Sequence, residues 1–166
     1  MVTTWARVQG LLGLKVFSLV PLTNPFRTAQ VVTILWNAAG CPELDDYTNP
    51  FTDVKESDYF FVPVLWAVQG GLTSGVTETA FGPEQPCTRA QAMKFLHIFA
   101  LEPGAKAEMP FTDVAEQDWF YDAVKWAVAN RLTAGTSATT FGPDDTCTRA
   151  HLVTFLYHFM DKTSES

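Results

Sequence analysis

Residues 51–100 read FTDVKESDYFFVPVLWAVQGGLTSGVTETAFGPEQPCTRAQAMKFLHIFA, and residues 111–160 read FTDVAEQDWFYDAVKWAVANRLTAGTSATTFGPDDTCTRAHLVTFLYHFM. The two stretches align without a gap and agree at about half of their positions, which marks a tandem repeat with a period of roughly 60 residues. The shared blocks are F-T-D-V, W-A-V, L-T-x-G, F-G-P, C-T-R-A and F-L. This pattern decides the fold. Each unit is helix, loop, helix, neither helix can bury its apolar face alone, and docking of successive units must supply the core.

A third, altered copy precedes these two. Asn24-Pro25-Phe26-Arg27-Thr28-Ala29-Gln30 lies over Gln85-Pro86-Cys87-Thr88-Arg89-Ala90-Gln91, and Trp5-Ala6-Arg7-Val8-Gln9-Gly10 resembles Trp66-Ala67-Val68-Gln69-Gly70 with one insertion. Trp5, Trp66 and Trp126 then recur at nearly constant spacing. The organisation expected is a truncated repeat over 1–40, a linker over 41–50, a repeat over 51–100, a linker over 101–110, a repeat over 111–160 and a polar tail over 161–166. The F-T-D-V segment missing from the first copy suggests a fragment of a longer chain or a degenerate unit. A rival reading takes the mostly apolar Leu11 to Leu22 as a weak signal-peptide core, although Lys15 interrupts it and no A-x-A-like site follows.

Within the last unit, Phe120, Ala123, Val124, Ala127 and Val128 follow helical spacing from Trp119 onward, with Trp126 widening the face. Asp118 is the expected N-cap of this first helix, and Asn130 or Arg131 its end. Leu132 to Phe141 reads as loop around Gly135, and Gly142-Pro143 as a turn. Thr148 begins the second helix through Leu152, Phe155, Leu156 and Phe159. In the middle unit Thr88 and Gln91 form a capping box, each side chain meeting the other's backbone amide. His151 replaces the Gln in the last unit, so half of that box is expected to be lost. Arg27 and Thr28 are exchanged in the first unit, so a weaker or displaced helix start is expected there.

The 166 residues carry a formal net charge of −7, with 47% hydrophobic and 17% charged residues. The apolar share suits a folded chain and excludes general disorder. The acidic balance excludes a broad nucleic-acid surface. No apolar run approaches the ~18 residues of a membrane helix, so no membrane insertion is expected. Three cysteines rule out a full disulfide framework, and Cys41, Cys87 and Cys147 read as buried or half-buried thiols acting as small hydrophobes. Neither they nor His97, His151 and His158 show metal-ligand spacing. Catalytic and cofactor-binding motifs are absent from the sequence, so neither an enzyme nor a cofactor is expected.

The combined blocks F-T-D-V, D-W-F with W-A-V, L-T-x-G, F-G-P and T-R-A resemble the S-layer homology (SLH) domain. The resemblance implies an all-α fold of tandem repeats packed as a pseudo-three-fold helical bundle. It also implies an extracellular role, holding a surface protein on the bacterial cell wall without a covalent bond. The implied partner is a secondary cell-wall polysaccharide, often bearing an anionic pyruvate ketal, bound in grooves between repeats. The family's T-R-A-E motif maps onto Thr88, Arg89, Ala90 and Gln91 and onto Thr148, Arg149, Ala150 and His151. Its aspartate and aromatic map onto Asp58 and Tyr59 and onto Asp118 and Trp119, and its loop glycines onto Gly75 and Gly135.

The chemistry suits such a ligand. Free amides at a helix start attract anions, Arg89 or Arg149 adds a planar donor fork for a carboxylate, and Trp119 offers a face for a sugar ring. A plainer reading makes Thr88 and Thr148 simple caps, pairs Arg89 and Arg149 with Asp53, Asp113 or another repeat's carboxylates, and puts Trp66 and Trp126 in the core. In the same reading Asp53 and Asp113 merely close local turns. A structural or protein-interaction module that lost glycan binding is the alternative function, with self-association through the incomplete first repeat.

Overall fold

A computed structural model describes residues 23–44 and 46–163. The match of Trp5 to Gly10 with the later repeats, and the apolar stretch from Leu11 to Leu22, lie outside the described residues. Five helices follow in order: α1 (Thr28–Ala38), α2 (Phe61–Gln69), α3 (Arg89–Phe99), α4 (Tyr121–Ala129) and α5 (Arg149–Thr163). Extended chain among the described residues pairs through isolated bridges, and the fold is all-α. Each short first helix packs on the second helix of the preceding unit, α2 on α1 and α4 on α3.

The second helices α1, α3 and α5 begin around a closed ring of backbone hydrogen bonds. The amide of Phe26 donates to the carbonyl of Cys147 at 2.9 Å, that of Cys147 to Cys87 at 2.8 Å, and that of Cys87 to Phe26 at 2.8 Å. The bridges Pro25 to Thr148, Arg27 to Pro86 and Thr88 to Thr146 repeat the same cycle one residue to either side. Three equivalent residues joined head to tail define a pseudo-three-fold axis, and all three are buried to within 1% of full. Val32 and Leu35 of α1, Met93 and Leu96 of α3, and Leu152 and Leu156 of α5 fill the core. Phe95 and Phe155 join them as expected. Trp126 is buried, and Trp66 is partly buried against the core.

Cys87 and Cys147 are free and fully buried, and burial pushes the Cys147 thiol up to about 12 and Cys87 higher still. They act as small apolar groups, as the sequence suggests. Cys41 departs from that expectation. It is exposed, and its backbone is left-handed at φ 56° just after α1.

The F-T-D-V and F-G-P blocks are one structural device. The Asp113 carboxylate accepts from the amides of Phe141 and Gly142, both at 2.8 Å, and Asp53 accepts from Phe81 and Gly82 at 2.9 and 2.8 Å. Thr112 and Thr52 donate their amides to Thr139 and Thr79 alongside. The reading of Asp53 and Asp113 as local turn closers is therefore corrected, because each carboxylate clamps a loop almost thirty residues downstream.

Two helix starts also differ from expectation. Asp118 does not cap α4. Its Oδ2 accepts from the Ala115 amide at 2.7 Å, closing the turn before the helix, and α4 begins at Tyr121 with no side-chain cap. Asp58 does the same with Lys55. The start of α1 is not displaced either, since Arg27 holds the place of Thr88. Only one half of the box survives there, the Arg27 amide donating to Gln30 Oε1 at 3.0 Å, because a guanidinium has no acceptor.

Burial pushes the Asp113 carboxyl up, but the amides of Phe141 and Gly142 and the charge of Arg89 outweigh it and hold the group below its ordinary value. A depressed folded value means that the unfolded chain binds the extra proton. The stabilisation is then present above about pH 4 and lost as the pH falls through the folded value. Asp113→Asn should cost about 1–2 kcal/mol at pH 7 in denaturant unfolding, and the gap from wild type should narrow below about pH 3.5.

Candidate functional site

The start of α3 and the first three turns of α5 enclose a groove of about 240 Å³, closed on one side by residues 131–135. Arg89, Arg131, Gly135, His151, Thr154 and His158 contribute to its wall, and among the described residues no Asp or Glu does. An acidic chain thus presents a local cationic groove.

Arg89 is only 2% exposed. Its Nε donates to the Phe141 carbonyl at 2.9 Å, and its guanidinium carbon lies 4.9 Å from the Phe141 ring centre and 5.5 Å from that of Phe155. Its Nη2 is buried and makes no hydrogen bond among the described residues. Burial lowers its pKa, opposed by the nearby charges of Asp145 and Asp113, and a guanidinium so placed stays charged. Arg89 makes no direct ion pair with Asp113. The aspartate holds the Phe141 amide while the arginine holds the Phe141 carbonyl, so the two meet through one peptide residue. Arg149, also 2% exposed, lies over the Phe26 ring at 5.4 Å, the equivalent place.

The helix-start amides are not available to a ligand in α3. Arg89 N–H donates to Asp145, Ala90 N–H to Pro143, and Gln91 N–H to the Thr88 hydroxyl. At α1, Thr28 and Ala29 donate to Gln85 and Pro83, and at α5 Arg149 donates to Asn24. The expectation that open first-turn amides attract the anion is corrected for α3: the ring geometry spends them on the next unit's loop. Positive charge in the groove therefore comes from side chains.

Thr88 and Gln91 form the expected full box, at 3.2 and 2.9 Å. In the last unit Thr148 still caps, at 3.3 Å, and its own amide donates to His151 Nδ1 at a long 3.4 Å. The imidazole thus retains a lengthened version of the bond that the sequence suggests would be lost. Gly75 and Gly135 have left-handed backbones, φ +83° and +79°. A Cβ would stand 2.8 Å from Phe51 in the first case and 2.5 Å from Phe111 in the second. Those faces are filled by the protein's own phenylalanines, although Gly135 also borders the groove. Tyr59 and Trp119 are exposed, at 65% and 59%, each edge-on to the buried Phe60 or Phe120. Asp58, Tyr59, Asp118 and Trp119 do not line the groove that holds Arg89.

Sequence reasoning missed Arg131 and His158 as groove residues. A signal for Arg131 existed. It stands where the middle unit has Gly71, and both are left-handed, φ 57° and 71°. Among the described residues, no cluster of three or more His, Cys, Asp or Glu offers a metal site.

Fold and groove together define a module of helical repeats closed about a pseudo-three-fold axis. The chain belongs to the S-layer homology domain family, whose model matches residues 50–93 and 110–153, just over half of its length. It is 30% identical over 128 residues to the Surface-layer 125 kDa protein of Lysinibacillus sphaericus, covering 77% of this chain and 10% of that protein. It is 34% identical over 91 residues to Cell surface glycoprotein 1 of Acetivibrio thermocellus, covering 53% and 4%. It is 32% identical over 120 residues to the Cellulosome-anchoring protein of the same organism, covering 69% and 25%. The chain thus spans a quarter or less of each of these relatives.

Burial, reinforced by the charge of Arg89, lowers the pKa of His151. The unfolded chain again binds the extra proton, so stability is full above about pH 6.5 and falls as the pH drops below it. His151→Gln restores the amide acceptor found in the middle unit. It should lessen the fall in Tm expected of wild type between about pH 6.5 and 5, read by calorimetry across that range.

Proposed function

We propose that this chain is a non-covalent anchoring module that holds a surface protein on the bacterial cell wall by binding an anionic secondary wall polysaccharide. The observation that carries the reading is the groove at α3 and α5, lined by two arginines and two histidines with no carboxylate from the described residues in its wall. A net charge of −7 elsewhere makes that local reversal of sign informative. Membership of the S-layer homology family supports it, as do relatives named for surface-layer and cellulosome-anchoring roles.

A pyruvate ketal fits as the acidic group. Its carboxylate is planar, and Arg89 keeps a buried Nη2 donor at the groove that no residue described here satisfies. Thr88 and Thr148 set the helix starts from which Arg89 and Arg149 project. Gly75 and Gly135 shape the loop walls. Tyr59 and Trp119, held by the turns that Asp58 and Asp118 close, supply exposed rings on which further sugars of the polymer stack. The site of action is the extracellular face of the wall.

The test is co-sedimentation with bacterial wall sacculi that retain their secondary polymer, against sacculi stripped of it and sacculi whose carboxylates have been reduced. Binding to the first that is lost with the other two, and weakened by raised salt, is expected. Absence of binding to intact sacculi, or equal binding to stripped ones, overturns the reading.

A further inference from the structure

We propose that Arg131, supported by His158, is the specificity-determining contact of the α3/α5 groove for the acidic group of its ligand. This rests on the anchoring reading above and assigns the direct contact to a residue outside the T-R-A block.

Arg89 is poorly placed to take a polymer from solution. It is 2% exposed, its Nε is committed to the Phe141 carbonyl, and two phenylalanine rings flank it. Its charge and its remaining donor form the floor of the groove. Arg131 is exposed and lines the same groove from the loop after α4. His158, also exposed, lines it from α5, two turns beyond His151.

The backbone of Arg131 adds a second, independent observation. The residue is left-handed at φ 57°, two residues past the end of α4, where the middle unit carries Gly71 at φ 71°. A glycine takes that conformation without steric penalty and an arginine does not. Local stability therefore favours the glycine, and a charged side chain there gains nothing by burial. Cys41, Leu101 and Glu102 take the same backbone region after α1 and α3, so the strain at Arg131 counts only together with its place at the mouth of the groove.

The corresponding positions at the junction of α1 and α3 sharpen the contrast. Thr28, Gly71, Gln91 and Ile98 stand in place of Arg89, Arg131, His151 and His158. The one cation gained, Lys94 in place of Thr154, is paired with Glu102 at 2.7 Å. The same fold thus gathers two arginines and two histidines at the α3/α5 groove and has none of the four at its neighbour.

Arg131→Gly separates function from fold, because glycine suits the backbone and copies Gly71. The Tm of the variant should stay level or rise by about 2–4 °C. Its affinity for intact sacculi should fall about tenfold or more, while Arg131→Lys should retain most of it. Reduction of the sacculus carboxylates should cost wild type that affinity and cost Arg131→Gly little further. If wild type binds and Arg131→Gly binds equally well, the assignment of Arg131 is overturned while the anchoring reading stands. If wild type does not bind intact sacculi, the anchoring reading fails and this inference with it.

Discussion

Three backbone hydrogen bonds, from Phe26 to Cys147, Cys147 to Cys87 and Cys87 to Phe26, are the constraint on which the architecture rests. Each bond joins one unit to another, so no unit can satisfy its own helix-start strand alone. Buried amides left unpaired cost more than paired ones return. The closed ring therefore makes the units interdependent in a way that pairwise packing of helices would not. The residues that form it are buried and apolar, and Phe26, Cys87 and Cys147 meet that requirement with side chains of different size.

The ring also sets what the surface can do. By bringing a unit's F-G-P loop against the helix start of the preceding unit, it consumes the first-turn amides of α3 on carbonyls of Pro143 and Asp145. A site for anions must then be built from side chains. In the proposed reading that site is built on the arginine at the first helical position, packed over the loop phenylalanine that Asp113 fixes from behind. Where the exchange of Arg27 and Thr28 removes that arginine, the swapped Arg27 side chain donates to the Glu84 carbonyl at 2.6 Å and holds the same junction by other means. Fold and site are thus separable: the first unit keeps the ring and loses the guanidinium floor.

Much of this was legible in the sequence because it depends on local rules. Helical spacing, the Thr88–Gln91 box, the glycine-bearing loop and the buried Phe95, Leu96, Phe155 and Leu156 all follow from neighbours within one or two turns. The parts that were not legible depend on residues far apart in the chain. Asp53 and Asp113 look like turn residues because their partners lie 28 and 29 positions away. Their recurrence at equal distance from both F-G-P blocks was the available signal. Asp118 carries the composition of a helix cap but spends its carboxylate on the preceding turn. Arg131 hides because a left-handed backbone is invisible in sequence unless a glycine announces it, and here only the sister unit has the glycine.

Native-state hydrogen exchange at the amides of Phe26, Cys87 and Cys147 tests the ring most directly. A closed cycle cannot open at one unit without releasing the others. The three amides should therefore exchange with the same free energy, equal to that of global unfolding. Exchange of Phe26 through a low-energy local opening, with Cys87 and Cys147 still protected at the global limit, would contradict the interdependence of the three units.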